Sequence, residues 1–160
     1  MANICNNLIK MKCADYYKIA HLFSTPENSY EANYLDFNKI IPVPEGGSAQ
    51  SLWGVKTRPY ATILDIDNFH DYVRIEFQTH CYAPTNIYSA LITKFEITFE
   101  AFAFEPASEY GFYGEYEPFA DHSDELPTHL ITTETGRDWA DEACMQIMGK
   151  SLDEYNSDNN

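Results

Sequence analysis

Apolar residues recur along this chain with two different periods, and the switching between them sets the expected order of elements. Asn7 to Lys12, centred on Leu8, β-branched Ile9 and Met11, predicts a first strand. From Ala14 to Phe23 the apolar positions Tyr16, Ile19, Ala20 and Phe23 fall at i, i+3, i+4 and i+7, which predicts a helix, with Pro26 just past its end. Leu35 to Pro44 holds two prolines that forbid a central strand, so a short strand or extended segment is expected, then a loop at Gly46-Gly47-Ser48. Tyr60 to Ile66 and Val73 to Thr79 alternate with period two around a turn at Asp67-Asn68. Pro84 to Lys94 reads as a second helix with Ile87 and Leu91 inward. Phe95 to Phe104 is the most regular alternation. It sets Phe95, Ile97, Phe99, Ala101 and Ala103 on one face and Glu96, Thr98, Glu100, Phe102 and Phe104 on the other. Tyr110 to Glu117 predicts a further strand.

The resulting order, β-α-β-β-α-β, is that of a split βαβ unit. It predicts an α+β protein with a ferredoxin-like antiparallel sheet and helices on one face, spanning residues 1–117. Residues 118–150 form an acidic extension, with a strand expected within Pro127 to Thr133 and a helix from Asp138 to Met148. That helix has Asp138, Asp141 and Glu142 in its first turn, Trp139, Ala143 and Ile147 along one side, and Gly149 just beyond. Residues 151–160 are polar throughout their end and are expected to be a mobile tail.

Charge changes this picture more than composition does. The chain carries 25 Asp and Glu against 10 Lys and Arg, a formal net charge of −15, whereas roughly 2 to 8 charges keep a small domain soluble. Whole-chain disorder does not fit, because 15% of residues are aromatic and 44% are apolar. Residues 1–94 have a net charge of −1, residues 95–136 hold 10 acids and no Lys or Arg, and residues 137–160 have a net charge of −4. Direct nucleic-acid binding needs clustered bases and is excluded on this count. No apolar run nears the ~18 residues of a membrane span, and the amino terminus lacks the features of a signal peptide. Cys5, Cys13, Cys81 and Cys144 show no C-x-x-C spacing, so a reducing, cytoplasmic setting is expected.

Several segments, in order, resemble the Api-type ferredoxin-like proteins of bacteriophages and conjugative plasmids, a family of unknown function. They are the Asn- and Cys-containing start at residues 1–7, the run Leu35-Asp36-Phe37-Asn38-Lys39-Ile40-Ile41-Pro42-Val43-Pro44-Glu45, and Trp53-Gly54-Val55-Lys56. Tyr82-Ala83-Pro84 and Tyr110-Gly111-Phe112-Tyr113-Gly114-Glu115-Tyr116 resemble later elements of the same pattern. The resemblance implies a ferredoxin-like fold and a mobile-element origin with a bacterial host cell as its setting. It implies no catalytic residue.

The base-free stretch supplies the candidate site: Glu96, Glu100, Glu105, Glu109, Glu115, Glu117, Asp121, Asp124 and Glu125, with Phe102 and Phe104 either an exposed apolar centre or buried under the carboxy-terminal elements. At ~3.3 Å per residue, Glu96 and Glu100 are expected about 13 Å apart on one strand face, and Glu115 and Glu117 about 6.6 Å apart on another. A rigid array of carboxylates occupies the same basic groove that a track of phosphates would. One reading is therefore an anti-defence protein that mimics nucleic acid and binds a host complex, CRISPR-type or restriction, through the complex's basic groove. The other is a non-catalytic structural or interaction protein whose acidic face serves only solubility. Enzyme signals are weaker: His80-Cys81 is the only adjacent His and Cys, His122 and His129 fit no zinc spacing, and Asp65, Asp67 and Asp71 match a calcium loop in part but lie between strands. The expectation is no enzyme, no cofactor and no metal.

Overall fold

A computed structural model describes residues 3–25, 33–56, 62–107, 110–118, 129–130 and 134–158. The chain opens with β1 (Ile4–Lys12), which runs directly into α1 (Cys13–Ile19) and a 3₁₀ turn at Ala20–Leu22. Two short strands, β2 (Phe23–Ser24) and β3 (Tyr34–Leu35), pair with each other apart from the main sheet. After them come the short helices α2 (Phe37–Ile40) and α3 (Ala49–Trp53), the hairpin β4 (Ile63–Asp67) and β5 (Tyr72–His80), and α4 (Thr85–Phe95). The remaining elements are β6 (Phe99–Glu105), β7 (Tyr110–Tyr116), β8 (His129–Leu130), α5 (Glu134–Met148) and α6 (Leu152–Asp158).

All pairings in the main sheet are antiparallel, in the order β4-β5-β1-β6-β7-β8. The period-two pattern becomes a division between two cores. Ile9, Val73, Ile75, Phe99, Ala101 and Ala103 face α1 and α4, whose Tyr16, Ile19, Ile87, Tyr88 and Leu91 close over them. Rings make the centre of this layer: Phe99 and Tyr116 stack at 4.9 Å, and Tyr88 meets Tyr116 edge-on at 5.3 Å. Polar groups inside it are paired, since Asn7 Nδ2 donates to Thr79 Oγ1 at 2.8 Å.

The opposite face carries Leu8, Phe102 and Phe104, and α5 and α6 cover it with Ala140, Ala143, Cys144 and Leu152. Helices thus lie on both faces of the sheet and not on one. The described carboxy-terminal helices share this core with β1 and β6. Burying Phe102 and Phe104, at 3% and 0% exposure, contributes roughly 1.5–3 kcal/mol each. The alternation had placed both rings correctly on this face. Of the two environments open to them, exposure or burial under the carboxy-terminal elements, the structure shows burial, beneath a helix that is polar on average and whose buried stripe is made largely of small residues.

Close approach explains why small residues suffice. A Cβ added at Gly111 would lie 2.5 Å from the Cα of Ala140, so helix and strand backbones are nearly in contact there. Residues 151–160, expected as a mobile tail, form α6 over most of their length. Leu152 is buried, Tyr155 meets Phe104 edge-on at 5.5 Å, and the Leu152 amide donates to Asp141 at 2.7 Å. Two apolar residues one turn apart are enough to dock an otherwise polar turn.

Other boundaries also moved. The strand expected from Phe95 starts at Phe99, because α4 continues through Phe95 and Glu96 takes the left-handed cap conformation at φ 49°. Leu35 to Pro44 is not extended throughout: Asp36 caps α2 by accepting from the Asn38 amide at 3.0 Å, and Pro42 and Pro44 follow its end. α5 starts at Glu134, four residues before the expected Asp138, so Asp138, Asp141 and Glu142 lie within it and not in its first turn.

Two substitutions test the second core. Gly111→Ala should lower unfolding stability by about 1–3 kcal/mol in urea denaturation, the usual cost of overpacking. Leu152→Ala should cost about 2–5 kcal/mol, whereas a mobile tail would show no change.

Candidate functional site

Strand register brings a row of charged residues across the face that α5 partly covers. Asp65 on β4 is opposite Arg74 on β5, Arg74 is opposite Lys10 on β1, Lys10 is opposite Glu100 on β6, and Glu100 is opposite Glu115 on β7. Two carboxylates therefore stand directly across a strand pair, an arrangement that costs stability unless the charges are used or screened. The bases in the row are bonded elsewhere. Lys10 Nζ donates to Gln146 Oε1 at 3.1 Å and lies 5.7 Å from the centre of the Phe102 ring. Arg74 donates to Glu76 and to the Gln146 carbonyl, both at 2.9 Å.

A third carboxylate arrives from α5. Glu142 accepts from Gln146 Nε2 at 2.8 Å, one helical turn along. Tyr113, between these elements, donates its hydroxyl to Glu115 and stacks on Phe102 at 5.1 Å. Burial first, then the bond to Glu115 and the charges of Glu115, Glu100 and Glu142, push the Tyr113 hydroxyl well above the ordinary tyrosine range. Strand register sets Glu100 directly beside Glu115, the Tyr113 hydroxyl bonds Glu115, and α5, which packs on β6 and β7, carries Glu142 over the same face. Among the described residues none of the three is ion-paired to Lys or Arg. Lys18, Arg137 and Lys150 pair instead with Asp15, Asp153 and Asp158, at 2.8, 2.6 and 2.8 Å.

Beside the patch lies a cleft of about 680 Å³. Glu100, Glu115 and Glu117 line it together with Lys10, Lys12, His70 and Asp71, and Met11, Phe99 and Tyr116 also contribute.

The expected site residues divide into four groups. Glu100, Glu115 and Glu117 are exposed and close together. Glu96 is exposed but lies at the cap of α4, beside Lys18, which donates to its carbonyl at 2.9 Å; it shares no strand face with Glu100. Glu105 is buried at 1% exposure and accepts from the Ala107 amide at 2.8 Å, while Phe102 and Phe104 lie beneath α5 and α6, so none of these three presents itself to a partner. Glu109, Asp121, Asp124 and Glu125 fall outside the described residues. Glu142 was not anticipated. Its only signal was the net charge of the last 24 residues, and only the docking of α5 brings it to Glu115.

Other candidate chemistry resolves into local structure. Asp67 accepts from the His70 ring at 2.6 Å and from the Phe69 and His70 amides at 3.0 Å, so it organises the β4–β5 turn. Cys81 takes φ 68° between β5 and α4, with its amide donated to the Asn3 carbonyl and that of Ala83 to the Tyr110 hydroxyl. All four cysteines are free thiols. Among the described residues there is no group of three His, Cys, Asp or Glu placed to hold a metal ion, and no helix is long and apolar enough to cross a membrane. The fold and patch together define an α+β protein with an acidic face. Comparison with family models, with curated proteins and with solved structures finds no match.

Tyrosine ionisation reports on this arrangement. Burial also pushes Tyr88 and Tyr110 above the ordinary value of 10.0. A hydroxyl whose folded-state pKa is raised adds stability that is complete below the unfolded value and is lost as pH climbs through the folded value. Urea midpoints should therefore fall above about pH 10, and Tyr113→Phe should make that fall shallower. A decline unchanged by Tyr113→Phe would place this hydroxyl outside the patch.

Proposed function

We propose that this protein is a non-catalytic inhibitor from a mobile element, which occupies the basic nucleic-acid-binding groove of a host defence complex with an acidic face. The observation that carries this reading is the pairing of Glu100 directly opposite Glu115 on β6 and β7, beneath the helix that bears Glu142, with no basic partner in ion-pair contact for any of the three among the described residues. Carboxylates held on a sheet and a packed helix are preorganised, so little side-chain and backbone ordering is lost when a basic groove closes on them. Their mutual repulsion in the free protein is relieved by a cationic partner, which adds to the driving force.

The proposed fold family is ferredoxin-like, for the portion from β1 to β6. Supporting it are the element order β1-α1-β4-β5-α4-β6 and the strand order β4-β5-β1-β6. On this view β7, β8, α5 and α6 extend a smaller unit at the β6 edge and supply the acids Glu115 and Glu142.

A competing reading, in which the acids serve only solubility, draws support from the burial of Phe102 and Phe104. Those rings were to provide the apolar centre that most interfaces have.

A pull-down from bacterial lysate separates the two. The wild-type chain should retain a nuclease or another nucleic-acid-binding complex at low salt and release it as ionic strength rises. Glu100→Lys, Glu115→Lys and Glu142→Lys combined should weaken capture by about a hundredfold or more, since like charges across an interface cost several kcal/mol. Equal capture by the triple variant, or recovery of no nucleic-acid-binding protein, would sink the proposal.

A further inference from the structure

We infer that the outer edge of β4 is a docking site for an extended segment of an unlike protein, one that alternates apolar with basic residues and adds to the sheet as a further strand. This inference concerns the opposite end of the sheet from Glu115 and does not rest on the acidic-face proposal. Among the described residues β4 is an edge strand, paired with β5 on one side only. Its neighbour in the sheet is buried at every second residue, but β4 itself is open: Ile63 is 63% exposed, Leu64 36% and Ile66 37%, and Phe69 in the turn beyond is 91% exposed. Edge strands are ordinarily blunted by charged side chains, proline or a bulge; Ile63-Leu64-Asp65-Ile66-Asp67 has no proline and pairs with β5 without a bulge, and its only charges, Asp65 and Asp67, are both negative, which guards the edge against acidic strands and leaves it open to a basic one. Its outward amides and carbonyls are a template for strand addition, the mode in which main-chain bonds give affinity and side-chain pockets give specificity.

Charge selects the occupant. A second copy of this chain would pair β4 with itself about a two-fold axis, and the register that uses the whole strand sets Asp65 against Asp65 between two molecules that each carry −15. An unlike segment bearing Lys or Arg meets the reverse situation. Asp65 lies opposite Arg74, yet Arg74 is held by Glu76 and the Gln146 carbonyl, so Asp65 has no ion pair among the described residues. A cation on the added strand could take that position. Beside it a hollow of about 340 Å³, bordered by Ile63, Gln78 and Ile147, is left where α5 stops short of β4, and it suits an apolar side chain of the same segment.

The probe is a fluorescein-labelled peptide of alternating lysine and valine, about eight residues long, enough to span β4 at ~3.3 Å per residue. A glutamate–valine peptide and the lysine–valine peptide N-methylated at alternate residues are its controls. Anisotropy reports binding, and amide hydrogen exchange locates it. The lysine–valine peptide should slow exchange of the outward amides within residues 63–67 by roughly tenfold or more, and both controls should fail to do so. Ile63→Lys with Ile66→Lys, both exposed positions, should abolish this protection, while Glu100→Lys with Glu115→Lys should leave it intact and so separate edge docking from attraction to the acidic face. Binding without protection of β4, equal protection by the N-methylated peptide, or a free chain that sediments as a dimer with these amides already protected would overturn the inference.

Discussion

The close approach of α5 to β7 at Gly111 and Ala140 is the contact on which the rest of this structure depends. Without a Cβ at Gly111 the two backbones come near enough for Ala143 and Cys144 to reach the sheet, and a helix with little apolar surface of its own still seals a face bearing Leu8, Phe102 and Phe104. A larger residue at either position would lift the helix and open a gap over two phenylalanines, and interiors tolerate such gaps poorly. α6 is a consequence of the same contact, because Leu152 and Tyr155 have a surface to pack on only after α5 is in place.

That seating also decides the electrostatics. Glu142 belongs to a helix and Glu115 to a strand, and the docking of one on the other gathers their charges at Tyr113. The same helix diverts the neighbouring bases: Gln146 takes Lys10 with its side chain and Arg74 with its carbonyl, a carbonyl near the negative end of α5. A row that runs Asp, Arg, Lys, Glu, Glu across the sheet therefore becomes a sheet with a carboxylate end and a set of occupied bases. Because α5 covers β6 and β7 and stops short of β4, it also leaves Ile63 open on its own face of the sheet, while Ile66, opposite Val73, is exposed on the other.

Much of this was legible in the chain. The alternation of Phe99, Ala101 and Ala103 against Phe102 and Phe104 assigns faces correctly, and the charge count isolates an acid-rich region in which Glu100 and Glu115 lie. What failed to be legible had identifiable causes. Exposure and burial stayed open for Phe102 and Phe104 because much of their cover from α5 is alanine and cysteine, residues that produce a weak apolar stripe. Glu105 looked like a surface acid because its position in the alternation says nothing about the Ala107 amide that it accepts from. α2 looked extended because two prolines dominate its segment, while the cap at Asp36 acts over only one turn.

The sequence by itself determined the local periods, the order of strands and helices, and the regional excess of acid, since each depends on residues within a few positions of one another. Only the tertiary structure decided which acids share a patch, which rings are buried and which sheet edge stays open. Those outcomes turn on a helix and a strand more than twenty residues apart in the chain meeting at a glycine, and the steric room left by a missing Cβ matters only once the partner backbone is there to fill it.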